Sequence, residues 1–447
     1  MPDTTLLGYL LERFSGAEYV FSIVLLLAAT WAFRYLGGLK PNRKQLLALG
    51  AAAVLWLIGI GGHRLWEFYA ARFPKDVAGI LVPRIKGDDR GNSLQQRLVS
   101  TLDAALASEA PEVRMQVHAC DKAVVEDVGL TKAHESARKV GRKYRAMLVL
   151  WGNGDAAGRF FPRLTVVDER PPTEQERTYG VLDIRNIELP SMLVSEPAYL
   201  AHFVAGFARY GENQYGPALA HFEAALRWPV PGERRTDVAA IHFFAGACCW
   251  LIAQGQSDMA ERFDNAIDHY TAVLEPVTKA GNAELWAATQ NNLGNAYSSL
   301  PTGDRAGNLR KAIDCHEAAL RVRTQDRFPV DWAMTQNNLG AAYAQLPTGD
   351  RAGNLRKAID CYEAALRVYT EKSFPGDWAM TQNNLGNAYA DLLQAEDRVE
   401  NLRKAIGCYT AVLRVYTEAA FPYEHDFVMG NLRDAQAELD ALGGAAD

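Results

Sequence analysis

The chain lacks most of what would announce a chemistry. Its six cysteines, Cys120, Cys248, Cys249, Cys315, Cys361 and Cys408, include no C-x-x-C pair, which excludes the usual zinc spacing. Basic charge is not in excess: 47 Lys and Arg against 53 Asp and Glu leave a net charge of -6, unlike a general nucleic-acid binder. The start, "MPDTTLLGYLLERF", is acidic and carries no secretory leader pattern. "GNGDAAG" (152–158) has the glycines of a nucleotide loop, but "RFFPRLTVV" follows, which is β-like. A dinucleotide loop needs a helix start there, so the stretch reads as a hairpin turn. His118 and Cys120 share one side of a strand, with no third group to orient them, and read as packing residues. Asp88 and Asp89 in "KGDDRGN" have no further acids at ligand spacing and read as a solvated turn. No catalytic residue, metal ligand or cofactor set is assigned, and the chain is expected not to be an enzyme.

What is present is apolar and periodic. Apolar residues make up 49% and charged residues 22% of 447, the balance of a folded chain with more than one domain. Hydrophobicity concentrates near the start. "YVFSIVLLLAATWAFRYLGG" (19–38) is broken only by Arg34, and a second run begins at "LLALGAAAVLWLIGIGG". A bilayer core needs about 20 apolar residues, so two transmembrane helices are expected, at about 19–38 and about 46–65. Residues 1–75 are therefore read as a membrane anchor placed in a cell inner membrane, with the lipid bilayer as a partner. Lys40, Arg43 and Lys44 in the connecting loop favour an outside bulk, whereas the unpaired-looking cysteines favour a cytosolic one. The cytosolic placement is the reading taken.

Residues 76–190 alternate differently. "VAGILVPRI" (77–85), "VRMQVHAC" (113–120), "RAMLVLWG" (145–152), "RFFPRLTVVD" and "YGVLDIRNIEL" read as strands; "SLQQRLVSTLDAALASEA" (93–110) and "TKAHESARKVGRKY" (131–144) read as helices. That order predicts a small α/β domain with a sheet covered by helices. "AGILVPRI", "GRKYRAMLVLWG" (141–152) and "RLTVVD" (163–168) resemble elements of the TolB amino-terminal-like α/β domain. This resemblance implies an interaction or assembly role and no enzyme chemistry.

From 195 to 447 the chain repeats itself. "NNLG" recurs with Gly294, Gly340 and Gly386 at 46-residue intervals, each followed three residues on by Tyr297, Tyr343 and Tyr389. Downstream come "KAIDCHEAAL" (311–320), "KAIDCYEAAL" (357–366) and "KAIGCYTAVL" (404–413). Two helices per unit, with small residues where they cross and aromatics beside them, make a hairpin that must stack on its neighbours to bury its apolar face. About five hairpins are expected, at 197–228, 237–277, 286–323, 332–370 and 378–418, with a capping half-unit at 427–442. The fold class is mainly α: a transmembrane hairpin, a small α/β domain and a solenoid.

The L-G-x-x-Y and A-x-x-x-Y/F patterns resemble tetratricopeptide repeats. "GFARYGENQYGPALAHFEAAL" (206–226) has the usual spacing, twelve residues from Gly206 to Ala218, whereas Gly294 to Ala312 is eighteen, with "LPTGDRAGN" in the lengthened turn. The long unit is similar to repeats of bacterial signalling and conflict proteins and of kinesin light chains. The resemblance implies a concave groove lined by the first helix of each hairpin. It places Asn291, Asn295, Asn337, Asn383 and Asn387 there, where amides would hold an extended protein or peptide partner. The competing reading is that one asparagine of each pair bonds between hairpins. Arg305, Arg310, Lys311, Arg351, Arg356 and Lys357 mark an edge that is either a basic stripe for an acidic partner or for lipid headgroups, or a solvated face. The function expected is a membrane-anchored scaffold that recruits a partner through its groove. The alternative is a membrane effector or regulator of a bacterial defence system, in which partner sensing drives assembly of the spans, with homo-oligomers as a further partner class.

Overall fold

The computed structural model describes residues 78–85, 93–124, 130–154, 160–167, 186–188, 197–227, 238–254, 258–392 and 398–443. The two apolar runs and Asp88 and Asp89 lie outside them. Among the described residues no helix is long and apolar enough to cross a membrane.

The α/β part begins with β1 (Ala78–Arg84), whose Ile80, Leu81 and Val82 are fully buried. Side chains alternate across a strand, and here both faces are covered. Ile80 and Val82 join Leu98, Leu102 and Leu106 of α1 (Ser93–Glu109), while Leu81 joins Ala133 and Ala137 of α2 (Leu130–Tyr144). The strand order is β2-β1-β3-β4-β5. β2 (Met115–Ala123) and β3 (Leu148–Gly154) flank β1 in parallel. β4 (Phe160–Val166) pairs antiparallel with β3 from Leu148↔Val166 to Gly154↔Phe160, and β5 (Asn186–Glu188) closes the edge. The glycines at 152 and 154 therefore lead into a hairpin, as their β-like sequel predicts. Cys120 is buried in the cluster under α2, beside Val149 and Trp151.

Five helical hairpins follow: α3 (Pro197–Gly211) with α4 (Tyr215–Leu226), α5 (Ala239–Ala253) with α6 (Met259–Leu274), α7 (Ala283–Ser299) with α8 (Arg305–Leu320), α9 (Pro329–Gln345) with α10 (Arg351–Ala365), and α11 (Pro375–Asp391) with α12 (Arg398–Val412). A further helix, α13 (Pro422–Gly443), follows them. Pro329 and Pro375 open their helices at the first turn, where a missing N–H costs nothing. The side chain of Asn282 accepts from Leu285 N at 3.0 Å and caps α7. The lengthened turns bend at Gly303 (φ 76°) and Gly349 (φ 84°), a left-handed backbone that glycine adopts without strain.

Each hairpin crosses at one glycine with a ring pressed on it. A Cβ built on Gly206 would lie 2.6 Å from Phe222, one on Gly340 2.8 Å from Tyr362, and one on Gly386 2.8 Å from Tyr409. Gly246 meets Tyr270 and Gly294 meets His316 in the same way. These contacts set the helix separation, so the sequence pattern of glycine and aromatic is the crossing point itself.

The core is not divided evenly. One cluster runs from Ile80 through α1 and the first two hairpins to Leu300 at the end of α7. Beyond it, burial breaks into smaller clusters, one around Leu309 and Leu339, one around Leu355 and Leu385, and one from Ala333 to Ala435.

Candidate partner-binding face

The first helices of successive hairpins touch one another, and asparagines mark the contact. Asn338 Nδ2 donates to Asn291 Oδ1 at 3.4 Å, and Asn384 Nδ2 to Asn337 Oδ1 at 3.3 Å. The second asparagine of each pair thus reaches back to the first of the preceding hairpin, 47 residues earlier. The bonds sit on helices because each asparagine has a partner there, which offsets its poor helix propensity. The last step differs. Phe328 and Phe374, at the starts of α9 and α11, are 46 residues apart, but Phe374 and Phe421 are 47. Asn431 stands at the same offset from its helix start as Asn384, yet it meets Asn387 and not Asn383, donating to the Asn387 Oδ1 at 3.3 Å, alongside the Tyr409 hydroxyl at 2.7 Å.

The five candidate asparagines differ in what they present. Asn291 is 0% and Asn337 4% exposed, and Asn295 is also buried. Asn383 and Asn387 are half-buried and carry the surface that remains. The Oδ1 of Asn383 is buried and accepts no hydrogen bond, because Asn431 turns to Asn387. Residues three positions before Asn337 and Asn383 share their helix face. These are Met334 and Met380, both half-buried, and Phe427 takes the matching place on α13 at 53% exposure. The sequence reading did not single out these three. Their signal is a Met-Met-Phe series at fixed offset from each "FP" helix start. This face of the first helices thus opens from buried amides at α7 towards half-exposed amide, thioether and ring at α11 and α13, with no charged side chain at these positions.

The basic edge is largely engaged within the chain. Arg305 donates to the Ser298 carbonyl at the end of α7 and to Gln345 Oε1 of the next hairpin at 2.6 Å. Arg351 repeats this on the Ala344 carbonyl and Asp391, and Arg398 on the Ala390 carbonyl and Glu438. Each guanidinium caps orphan carbonyls where the helix dipole favours a cation, and ties that end to the following hairpin. Arg310 donates to Thr348 at 2.8 Å, while the Lys311 and Lys357 ammonium groups sit 5.1 Å and 5.0 Å from the Tyr297 and Tyr343 ring centres. Arg356 is exposed on the outer helix.

Burial pushes the Cys315 and Cys361 thiols up to about 12 and the Cys408 thiol up to about 11, so all three stay neutral. A neutral, half-buried thiol packs and does not attack. Hairpin α7/α8 departs from its neighbours. His316 occupies the place of Tyr362 and Tyr409, wholly buried, with neither ring nitrogen hydrogen-bonded. Burial and the nearby Arg323 hold its pKa down to about 3, so the ring is neutral. Arg323 is itself buried, donates to Thr335 Oγ1 at 3.1 Å and lies 3.8 Å from Asp331.

Neither protein-family models nor curated proteins match the chain. Among solved structures it is similar to TTC0263, a thermophilic TPR protein of Thermus thermophilus, with 17% identity over 52% of this chain and 99% of that one and a TM-score of 0.35. It is similar to the MamA protein at 17% identity, covering 51% and 95% of the two chains with a TM-score of 0.33. It is also similar to the TPR2AB domain of yeast Sti1 in its pHSP90 complex, at 15% identity, 56% and 94% coverage and a TM-score of 0.22. The glycine–ring crossings, repeated in five stacked hairpins, are the array's own mark of tetratricopeptide-like packing.

Proposed function

We propose that the chain is a scaffold whose solenoid holds an extended, mainly uncharged protein segment against the inner face of α9, α11 and α13, and that the apolar runs at 19–38 and about 46–65 fix it to a membrane. The observation that carries this reading is the uncharged series Met334, Met380 and Phe427 beside the partly open amides Asn383 and Asn387. Apolar contacts would give the affinity, and an amide with both donor and acceptor would read a peptide backbone whatever its side chains. Asn291 and Asn337, already bonded inside the ladder, would shape the floor and not touch the partner.

A photo-crosslinking residue placed at Phe427 tests the face in cells. A partner captured there, absent when Met380→Glu is added and absent with the crosslinker at Arg356, is the expected result. Equal capture from Arg356, or capture indifferent to Met380→Glu in a folded protein, overturns the groove. Alkaline-phosphatase activity of a carboxy-terminal fusion would overturn the cytosolic placement, and recovery of the full chain in a salt-washed soluble fraction would overturn the anchor.

A further inference from the structure

The first two hairpins carry a feature that the other three do not. Four residues before the crossing glycine stands a histidine, His202 or His242; one residue before the facing ring stands another, His221 or His269. In the later hairpins the same two places hold Gln290 and Cys315, Gln336 and Cys361, and Gln382 and Cys408. The rings meet: His202 Nδ1 lies 3.1 Å from His221 Nδ1, and His242 Nδ1 lies 3.0 Å from His269 Nδ1. A contact of this kind holds one proton, with one nitrogen donating and the other accepting.

The first pair sits where the α/β domain meets the solenoid. Glu109 ends α1, and its Oε2 lies 3.6 Å from His202 Nε2. Glu112, in the turn after α1, lies 2.8 Å from His221 Nε2 through Oε1. The carbonyl of Glu112 accepts from Arg209 of α3 at 2.8 Å, and Arg209 also pairs with Glu212 at 3.3 Å. Arg227, after α4, acts on His202 with the opposite sign to the two glutamates. So α1 and its turn face the pair with carboxylates, while α3 and α4 add arginines.

We propose that His202 and His221, set between Glu109 and Glu112, form an acid-released latch that fastens the α/β domain to the first hairpin of the solenoid. His221 donates through Nε2 to Glu112, which leaves its Nδ1 as an acceptor for the Nδ1–H of His202. One further proton, on His202 Nε2, completes the line Glu109, His202, His221, Glu112, with every nitrogen donating or accepting. A second further proton has no place. It would set two N–H donors, on two cations, nose to nose at the 3.1 Å contact. Separated domains expose both rings, and each then takes its proton near the ordinary histidine value of about 6.5. The docked form binds fewer protons than the open form below that pH, so acid favours opening. Burial and the His221 charge lower the His202 pKa, in the same direction.

Hydrogen exchange of the full chain, read by mass spectrometry at about pH 7.5 and about pH 5 with times scaled for the intrinsic rate, tests the latch. Protection in α1 and in α3 and α4 is expected to fall about tenfold in acid, while α9 to α12 keep theirs. The variant His202→Gln with His221→Cys installs the pair that three hairpins of this chain already accommodate. It should abolish the acid response at α1, α3 and α4 and leave that of α5 and α6. His221→Gln, which keeps a donor for Glu112 and an acceptor for His202, is a second arm and should blunt the response alone. Unchanged protection of wild type in acid, or an undiminished acid response in either variant, overturns the latch.

Discussion

The two ends of the solenoid are held by different means. The first two hairpins share one apolar core with the sheet, so Phe222, Phe243 and Tyr270 lie in the same cluster as Ile80. Beyond α7 burial divides into separate clusters, and the last three hairpins are joined by polar ties that recur once per repeat: the asparagine ladder and the arginines at 305, 351 and 398. A continuous core couples the elements that share it. A chain of like junctions makes an array whose stability is a sum over units and interfaces, and which frays from its free end.

Acid should show this contrast most strongly. Burial lowers the pKa of His134 and His269 to about 4 and of His316 to about 3, and lowers those of His202 and His242 as well. Folded, all five hold a proton less readily than in the unfolded chain, which takes up protons below about pH 6.5. Stability is therefore untouched above about pH 6.5 and falls as the pH drops towards the folded values. Four of the five lie in the sheet domain and hairpins one and two. Exchange protection should collapse there first; an array that loses protection evenly would contradict the contrast.

Phe222→Ala should come next. The ring is fully buried, and its loss should cost about 3–5 kcal/mol. Urea unfolding followed by probes on α1 and α4 should shift together, whereas a probe on α12 should move little. Asn338→Ala removes the amide that donates to the buried Asn291 oxygen and should cost about 1 kcal/mol. Its effect should be confined to α7 and α9, visible as faster local exchange with the sheet domain unmoved. Smallest is Lys357→Ala, which removes an exposed cation over Tyr343 and should change the melting free energy by about 0.5 kcal/mol. A larger loss would mean that the outer face carries more than it shows.

Much of this is legible in the residues alone. The crossing glycines and their rings repeat at fixed distance, and the packing needs no more than that to be recognised. The sheet's alternation is legible for the same reason: "AGILVPRI" places neighbours on opposite faces, each under its own helix. The asparagines are harder. Successive residues on a helix point about 100° apart, so "NN" states that two directions are used but not which one meets the next hairpin. Register between hairpins decides that: Asn384 meets Asn337, whereas Asn431, at the same offset from its helix start, meets Asn387 and not Asn383. The histidine pairs stay hidden because their members stand 19 and 27 residues apart on different helices. Aligning hairpins one and two on Gly206 and Gly246 brings His202 and His242 into line, and aligning them on Phe222 and Tyr270 does the same for His221 and His269.

The arginine at each inner turn has one more consequence. Arg305 and Arg351 grip the helix end behind them and the helix end ahead through groups one full period apart, Ser298 and Ala344 behind, Gln345 and Asp391 ahead. A cut-and-splice that removes residues 306–351 would leave Arg305 reaching for Asp391, the partner Arg351 has now. The array is then a ruler with interchangeable divisions. Its length can be changed by whole units through recombination of its own repeated sequence, and no junction needs to be reinvented.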